Sequence, residues 1–473
     1  MTIDWQGEVE RRRTDIIRTT QTFLRIRSVL NEAQSKEGMP FGPGIQDAME
    51  FLLQRCQTAG FRVKRLEGYA AHAEYGSGDD LLGILCHVDV VPEGDGWTTP
   101  PYEASIRDNR IYARGAIDDK GPTMAAFFAL SIVKELALPL NRRVRLIIGG
   151  DEESNWRCMK RYFATEEMPT IGFAPDAEFP LIFAEKGIWD VKIGLDSSDT
   201  SIPADGYRLY RFHAGMRRNM VPERATAAIQ SPSESALQRL QERFSDYCGK
   251  RGIEGKIQRE DGLLHMEMAG KSAHGMEPHK GANAGLLLAD FLKAIPFDRQ
   301  GSAYLAFLAD ALGPDTTGAN LGIACRDETS GSLTVNAGVM RYELNERERT
   351  VWLNIRYPVS FTQAELEEQL SARLHRFQAH VEESHDNPPH HVDQGDFLVQ
   401  TLLRVYREVT GDMTAPLSIG GGTYARSLQS GVAFGPLFPG RPQVAHQKDE
   451  YIEIEDLLKA TAIYAQAIHE LCR

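Results

Sequence analysis

Three apolar runs in this sequence end on groups that bind cations or carry protons, and that coincidence restricts the fold. The run from Leu81 ("LLGILCHVD") reaches His87 and Asp89, "VRLIIGG" from Val144 passes into Asp151, Glu152 and Glu153, and "IGFAPDAEFP" contains Asp176. Apolar runs bounded by helical patterns read as strands buried on both faces, which makes a mainly parallel sheet with helices on both sides. Open sheets of that kind bind ligands beyond the carboxyl ends of their strands. Within "HVD", residues i and i+2 share a strand face, so His87 and Asp89 project together. A metal-binding imidazole commonly gives its second ring nitrogen to a carboxylate. One such pair is more often a satisfied polar contact, so the weight falls on convergence.

Two further places supply it. The pair Asp118-Asp119 in "AIDDKGP" precedes the apolar helical pattern "TMAAFFALSIVKEL", with Pro122 suited to a first turn, and His446 stands in "QVAHQKDEYIEIEDLL" ahead of another helix. A cap or an ion pair would explain each place separately. Gathered together, so many buried carboxylates are too costly without cations. Three carboxylates and two neutral imidazoles around two divalent ions leave a charge of about +1, which one bridging hydroxide cancels. Oxygen and imidazole donors without cysteine suit zinc, and also manganese or cobalt.

At 473 residues the chain exceeds one ordinary core, and a change of texture shows where it divides. From Lys186 onward alternating strands such as "WDVKIGL", "LLHMEMAG" and "TVWLNIRYP" mix with helical stretches, which reads as an α+β insert. Near "HDNPPHHVDQGD" the chain returns to its opening style, giving expected segments 1–185, 186–387 and 388–473 with the first domain discontinuous. A net charge of -13 argues against a nucleic-acid partner. Arg11 to Arg13 read as the solvated face of an amphipathic helix. The start, "MTIDWQGEVE", has no apolar core for a secretory signal, and no run approaches membrane-spanning length, so a cytoplasmic protein without membrane attachment is expected. Six scattered cysteines fit reduced thiols, with Cys86 pointing away from His87 into the core.

His87-x-Asp89, "GDGWTTPPY", "RGAIDDKGP", "DEES", "APDAEFP", "GKSAHGMEPHKGANA" and "AHQKDE", in that order, resemble the co-catalytic zinc peptidases of metallopeptidase family twenty. That family includes aminoacylase, acetylornithine deacetylase and carnosinase, and the resemblance covers nearly the entire chain. "RRNMVPERA", "NIRYP", "GGGTYAR" and the long insert bring it nearest to the PepV-type bacterial dipeptidases.

The resemblance implies a zinc-peptidase catalytic domain with an inserted lid. It implies that Asp119 bridges two metals, with His87 and Asp176 completing one site and Glu153 and His446 the other. Asp89 steadies the imidazole, Glu152 is the general base that takes a proton from the water and returns it to the leaving amine, and a cis peptide precedes the bridging aspartate. His274 of the lid would reach the oxyanion, a donor whose loss typically costs on the order of 10²- to 10³-fold in rate. Asn219 and Arg356 match lid positions that hold a substrate carboxylate, a task suited to the guanidinium fork. The glycines at 420 to 422 lack a phosphate-loop pattern and read as a tight turn whose amides, at Gly421 and Gly422, face substrate, with Thr423 offering a hydroxyl. The expected activity is hydrolysis of unblocked dipeptides, with N-acyl-amino-acid deacylation as the alternative on the same site. A lid this long folds over its own site, so a working monomer is expected.

Overall fold

The computed structural model describes residues 3–196 and 199–473. They form two compact units: one runs up to Ala184 and includes His391–Ser418 and Gly422–Arg473, and the other comprises Glu185–His390 with Ile419–Gly421. The short piece Ile419–Gly421 differs from the expected partition, which left it in the returning segment. Lys186 N donates to Ile419 O at 3.0 Å, and Arg356 Nη1 donates to Gly420 O at 2.8 Å, so one backbone and one side-chain hydrogen bond tie it to the insert. Gly421 therefore belongs to the inserted unit, whereas Gly422 and Thr423 belong to the first.

In the first unit four parallel strands lie in the order Arg143–Gly149, Leu81–His87, Ile171–Ala174 and Gly431–Ala433. Every residue of Leu81–His87 is buried, as an apolar run between two parallel neighbours requires. The sheet is mixed, because Ala70–Tyr75 and Arg62–Leu66 extend it antiparallel beyond Arg143–Gly149. Those two strands are consecutive and joined through Glu67 and Gly68, both at positive φ, so a short turn pairs them as a hairpin. The helix Lys120–Glu135 is buried from Lys120 through Val133 and packs on the long C-terminal helix Ile454–Cys472, as its apolar circumference demands. A small sheet matters for function: Tyr451–Glu453 pairs antiparallel with Arg110–Tyr112. That pairing sets the chain after Tyr112 beside the chain before Tyr451.

The inserted unit is built on eight antiparallel strands in the order Gly255–Glu260, Leu263–Ala269, Arg224–Gln230, Arg208–Ala214, Thr334–Glu343, Glu348–Tyr357, Gly187–Leu195 and Ala379–Asn387. Burial alternates along Leu263–Ala269, the mark of a sheet with one face on a core. Gly255–Glu260 and Leu263–Ala269 are joined by Asp261-Gly262, both at positive φ, the two-residue turn whose twist matches the strands. The helices Glu234–Arg251, Ala284–Leu292, Arg299–Ala306 and Gln363–Leu374 contribute Leu240, Leu288, Tyr304 and Leu370 to a core with Trp189, Phe212 and Leu353. Among the described residues no helix is long and apolar enough to cross a membrane.

Candidate active site

The carboxyl ends of the parallel strands converge on one cluster in the first unit. His87 closes its strand, Asp176 follows Ile171–Ala174, and Glu152 and Glu153 sit in the turn after Arg143–Gly149. Asp118 comes immediately before the N-cap of the helix Lys120–Glu135, and His446 lies in the loop ahead of Tyr451 with φ at +64°. One donor atom each from His87, Glu152 and Asp176 lie within 4.8 Å of one another, as do those of His87, Asp118 and Glu153.

Asp118, not Asp119, presents its carboxylate to both halves of the cluster. Its Oδ1 lies 3.1 Å from His87 Nε2 and its Oδ2 lies 3.0 Å from His446 Nε2. On the first side Asp176 Oδ2 is 3.6 Å from His87 Nε2, and on the second Glu153 Oε1 is 3.1 Å from His446 Nε2. The expectation that Asp119 is the shared ligand is corrected by where its side chain goes. Asp119 Oδ2 accepts from His87 N at 3.1 Å and from Thr123 Oγ1 at 3.0 Å, so this carboxyl ties the strand end to the helix start. The Asp118-Asp119 peptide is cis.

Asp89 does more than orient the imidazole. His87 Nδ1 lies nearest the carbonyl oxygen of Asp89, at 2.9 Å, with the carboxylate oxygen at 3.4 Å. The carboxylate of Asp89 accepts from Glu152 N at 3.2 Å and from Glu153 N at 3.0 Å. One residue thus fixes the His87 tautomer through its backbone and the two glutamates through its side chain. With a proton held on Nδ1 by that carbonyl, Nε2 is the atom left to act as a ligand.

Two residues that motif reading missed brace Asp118. Glu450 Oε1 accepts from Ile117 N at 3.0 Å and from Asp118 N at 3.3 Å, while its Oε2 receives Arg114 Nη1 at 2.6 Å. Arg114 Nη2 also reaches the carbonyl oxygen of His446, at 3.4 Å. This buried pair joins the Asp118 loop to the His446 loop, side by side because of the Tyr451–Glu453 pairing. The signal in the sequence was slight: one glutamate four residues after a candidate ligand histidine.

The electrostatics fit a cation-binding centre. Burial, with the charges of Asp176, Glu153 and Asp118 nearby, pushes Glu152 well above its ordinary value, and burial with Asp118 pushes Glu153 up to about 7. Burial works against the imidazoles' positive charge, yet hydrogen bonds to Asp118, Asp176 and Asp89 hold His87 well up, and those to Asp118 and Glu153 hold His446 at about 11. The surrounding acids thus favour positive charge at both imidazole positions. Divalent cations would supply that positive charge instead and free both Nε2 atoms as ligands.

The other residues singled out in the sequence belong to the inserted unit, except Gly422 and Thr423, which belong to the first. In the inserted unit His274, Asn219 and Arg356 come together: Gly275 N donates to Asn219 O at 2.7 Å, and Arg356 Nε donates to Asn354 Oδ1 at 2.9 Å. Met276 N donates to His274 Nδ1 at 3.2 Å, which leaves the proton of a neutral ring on Nε2. Gly420 packs on Met276, and none of Gly420, Gly421 and Gly422 has the positive φ of a tight glycine turn. Thr423 Oγ1 accepts from Ala425 N at 3.1 Å and caps a short helical turn.

Acids and imidazoles gathered at the carboxyl ends of a parallel sheet define a hydrolase centre of the metal-dependent kind. The chain belongs to peptidase family M20/M25/M40, whose profile matches residues 83–470, and it is a metallopeptidase. It is 49% identical to Putative dipeptidase YtjP of Bacillus subtilis (strain 168) over 471 residues, covering 100% of both chains. It is 39% identical to Putative dipeptidase SAUSA300_1697 of Staphylococcus aureus (strain USA300), over 99% of both chains. Aminoacylhistidine dipeptidase from Vibrio alginolyticus shares the fold with a TM-score of 0.58 at 16% identity, over 96% of each chain. Human carnosine dipeptidase 1 does so with a TM-score of 0.54 at 14% identity, over 99% of this chain and 98% of that one.

Proposed function

We propose that this chain is a dipeptidase that hydrolyses the amide bond of unblocked dipeptides with two divalent cations, zinc foremost and manganese or cobalt as substitutes. The observation that carries the reading is the Asp118 carboxylate, with one oxygen toward His87 and the other toward His446. His87 and Asp176 would hold one ion, Glu153 and His446 the other, with Asp118 shared. Bound there, the ions would polarise the scissile carbonyl and lower the pKa of water to near neutrality.

The protein's own groups do the rest. Glu152, gathered with His87 and Asp176, takes the proton from the attacking water and delivers it to the departing amine, one carboxyl group serving both steps. Asp89 keeps Glu152 and Glu153 in place through their backbone N–H groups. His274, with its proton on Nε2, is assigned to the oxyanion, and Asn219 and Arg356 to the substrate's carboxylate. An inserted unit long enough to fold over its own site supports a working monomer as part of this reading. Kinship with relatives named dipeptidases along their full lengths supports the substrate class.

The test is hydrolysis of unblocked dipeptides against N-acetyl amino acids, after chelation and after readdition of zinc, manganese or cobalt. Metal-restored cleavage of the dipeptides, with the blocked compounds at least about tenfold slower, is expected. Preference for the blocked compounds would make the chain an N-acyl-amino-acid deacylase.

A further inference from the structure

The inserted unit holds a cavity of about 590 Å³, within the range of small-molecule sites, and none of its lining residues has a part in the proposed hydrolysis. Apolar walls come from Leu286 and Leu287 of the helix Ala284–Leu292, from Ala309 and Leu312, and from Val335 and Ala337 of the strand Thr334–Glu343. Ala309 and Leu312 belong to Phe307–Leu312, a π-helical turn that continues the helix Arg299–Ala306. Such turns are rare and occur frequently at functional sites. Pro278, Ala282 and Asn283 form a further wall, and they follow His274 through a chain of tight turns. Glu277 N donates to His274 O at 2.9 Å, Lys280 N to Glu277 O at 3.0 Å and Gly281 N to Pro278 O at 3.1 Å.

The polar groups of the lining define what it would recognise. Asn336 is 2% exposed, and its Nδ2 donates to Arg218 O at 2.8 Å and to Met220 O at 3.0 Å. That fixes the amide, since a flip would set its oxygen against two carbonyl oxygens. Among the described residues Asn336 Oδ1 then receives no hydrogen bond, and a buried acceptor left so is costly. Arg251 lines the cavity too, with Nη2 3.4 Å from Asp290 Oδ2, and a guanidinium has donors for more than one acceptor. The acids of the lining are already engaged. Asp290 Oδ2 also accepts from Tyr247 Oη at 3.0 Å, while Asp315 accepts from Thr317 N at 2.8 Å and from Asn320 N at 2.9 Å. A ligand ammonium would be desolvated there without a carboxylate of its own. A neutral molecule fits better, with an aliphatic body, an N–H for Asn336 Oδ1 and a carbonyl for Arg251.

We propose that this cavity binds a small neutral aliphatic amide and that its occupancy raises turnover by holding the loop that bears His274. The coupling rests on the role proposed for His274 and deepens it, whereas the binding stands on the cavity alone. A ligand seated against Pro278 and Ala282 favours the arrangement of the turns that closes this wall, and a difference in affinity between arrangements is all that a population shift requires.

The experiment titrates the full metal-loaded chain with 4-methylpentanamide and with 5-methylhexan-2-one, which has a methyl group where the amide has its NH2. Calorimetry should give a Kd of about 1 mM for the amide and binding about 5- to 50-fold weaker for the ketone. With the amide near saturation, kcat on L-alanyl-L-alanine should rise at least about twofold while KM changes by less than about twofold. Ala309→Phe, which sets a ring into the cavity, should abolish both effects, and Ala309→Leu carries the test should the larger side chain fail to fold. Absent binding to the wild type, equal binding of the ketone, or binding retained in the Ala309 variants would overturn the site. Binding with kcat unchanged or lowered would overturn the coupling to His274 and leave the dipeptidase reading intact. Amide binding by a chain that cleaves no dipeptide would overturn that reading, and the coupling with it, but not the site.

Discussion

His446 Nε2 stands 3.0 Å from Asp118 Oδ2, although the two residues come from opposite ends of the sequence. Their approach depends on the Arg114–Glu450 pair and on the strand Tyr451–Glu453 lying beside Arg110–Tyr112. The bracing fixes the Asp118 loop beside the His446 loop. Asp118, Glu152 and Glu153 are held through their backbone N–H groups, which donate to the carboxylates of Glu450 and Asp89.

Glu152 is the group asked to move the proton, so Glu152→Gln should preserve fold and metal content while lowering kcat by at least about 10²-fold. Metal analysis and steady-state kinetics on the same sample separate the two effects. Undiminished turnover would remove Glu152 from the reaction.

Asp89→Ala takes away the carboxylate that accepts from Glu152 N and Glu153 N. Metal affinity should weaken by about 10- to 100-fold, the usual consequence of losing a group that orients ligands. Competition with a chelating dye measures it. Because the carbonyl of Asp89 still faces His87 Nδ1, Asp89→Asn should recover part of the loss. Equal affinity in all three proteins would show that Asp89 does not position the ligands.

Arg114 and Glu450 are 2% and 0% exposed at their side chains, so Arg114→Met strands a buried acid. A loss of about 3–5 kcal/mol in stability is expected, read by denaturant unfolding of the chelated protein. A change below about 1 kcal/mol would mean that the pair does not brace the two loops.

The pH response of the chelated protein has a defined sign. Against burial, Asp118 and Glu153 hold His446 at about 11, above its ordinary 6.5, so its contribution is complete below about 6.5 and is lost as pH rises through about 11. Burial and Asp118 raise Glu153 from 4.5 to about 7, so its folded-state proton favours folding below about 4.5, and that advantage is lost as pH rises through about 7. Both slopes make the chelated protein less stable with rising pH. Cations need these ligands deprotonated, so the rise in Tm on adding zinc should grow between about pH 5.5 and 8. Scanning fluorimetry across that range gives the comparison, and a constant rise would contradict it.

Much of this centre was legible because strands end where their apolar runs end. His87, Glu152, Glu153 and Asp176 could be placed from that rule alone, and His446 from the loop before a helix. The choice between Asp118 and Asp119 could not be made that way. Adjacent residues in an irregular turn have no period, and only the fold shows that Asp119 turns back onto His87 N and Thr123 while Asp118 faces the histidines. Glu450 and Arg114 escaped for a related reason: they join loops distant in sequence. The texture change near Lys186 is a compositional signal, whereas the grouping of Ile419–Gly421 with Glu185–His390 rests on pairing that composition does not reveal.

The sharing of the Asp118 carboxylate is tested most directly by counting zinc bound per chain in wild-type, Asp118→Asn and Asp119→Asn proteins after dialysis at one fixed free zinc concentration. Two ions are expected in the wild type and in Asp119→Asn, with one or none in Asp118→Asn. Two ions retained by Asp118→Asn, with loss in Asp119→Asn, would contradict the assignment.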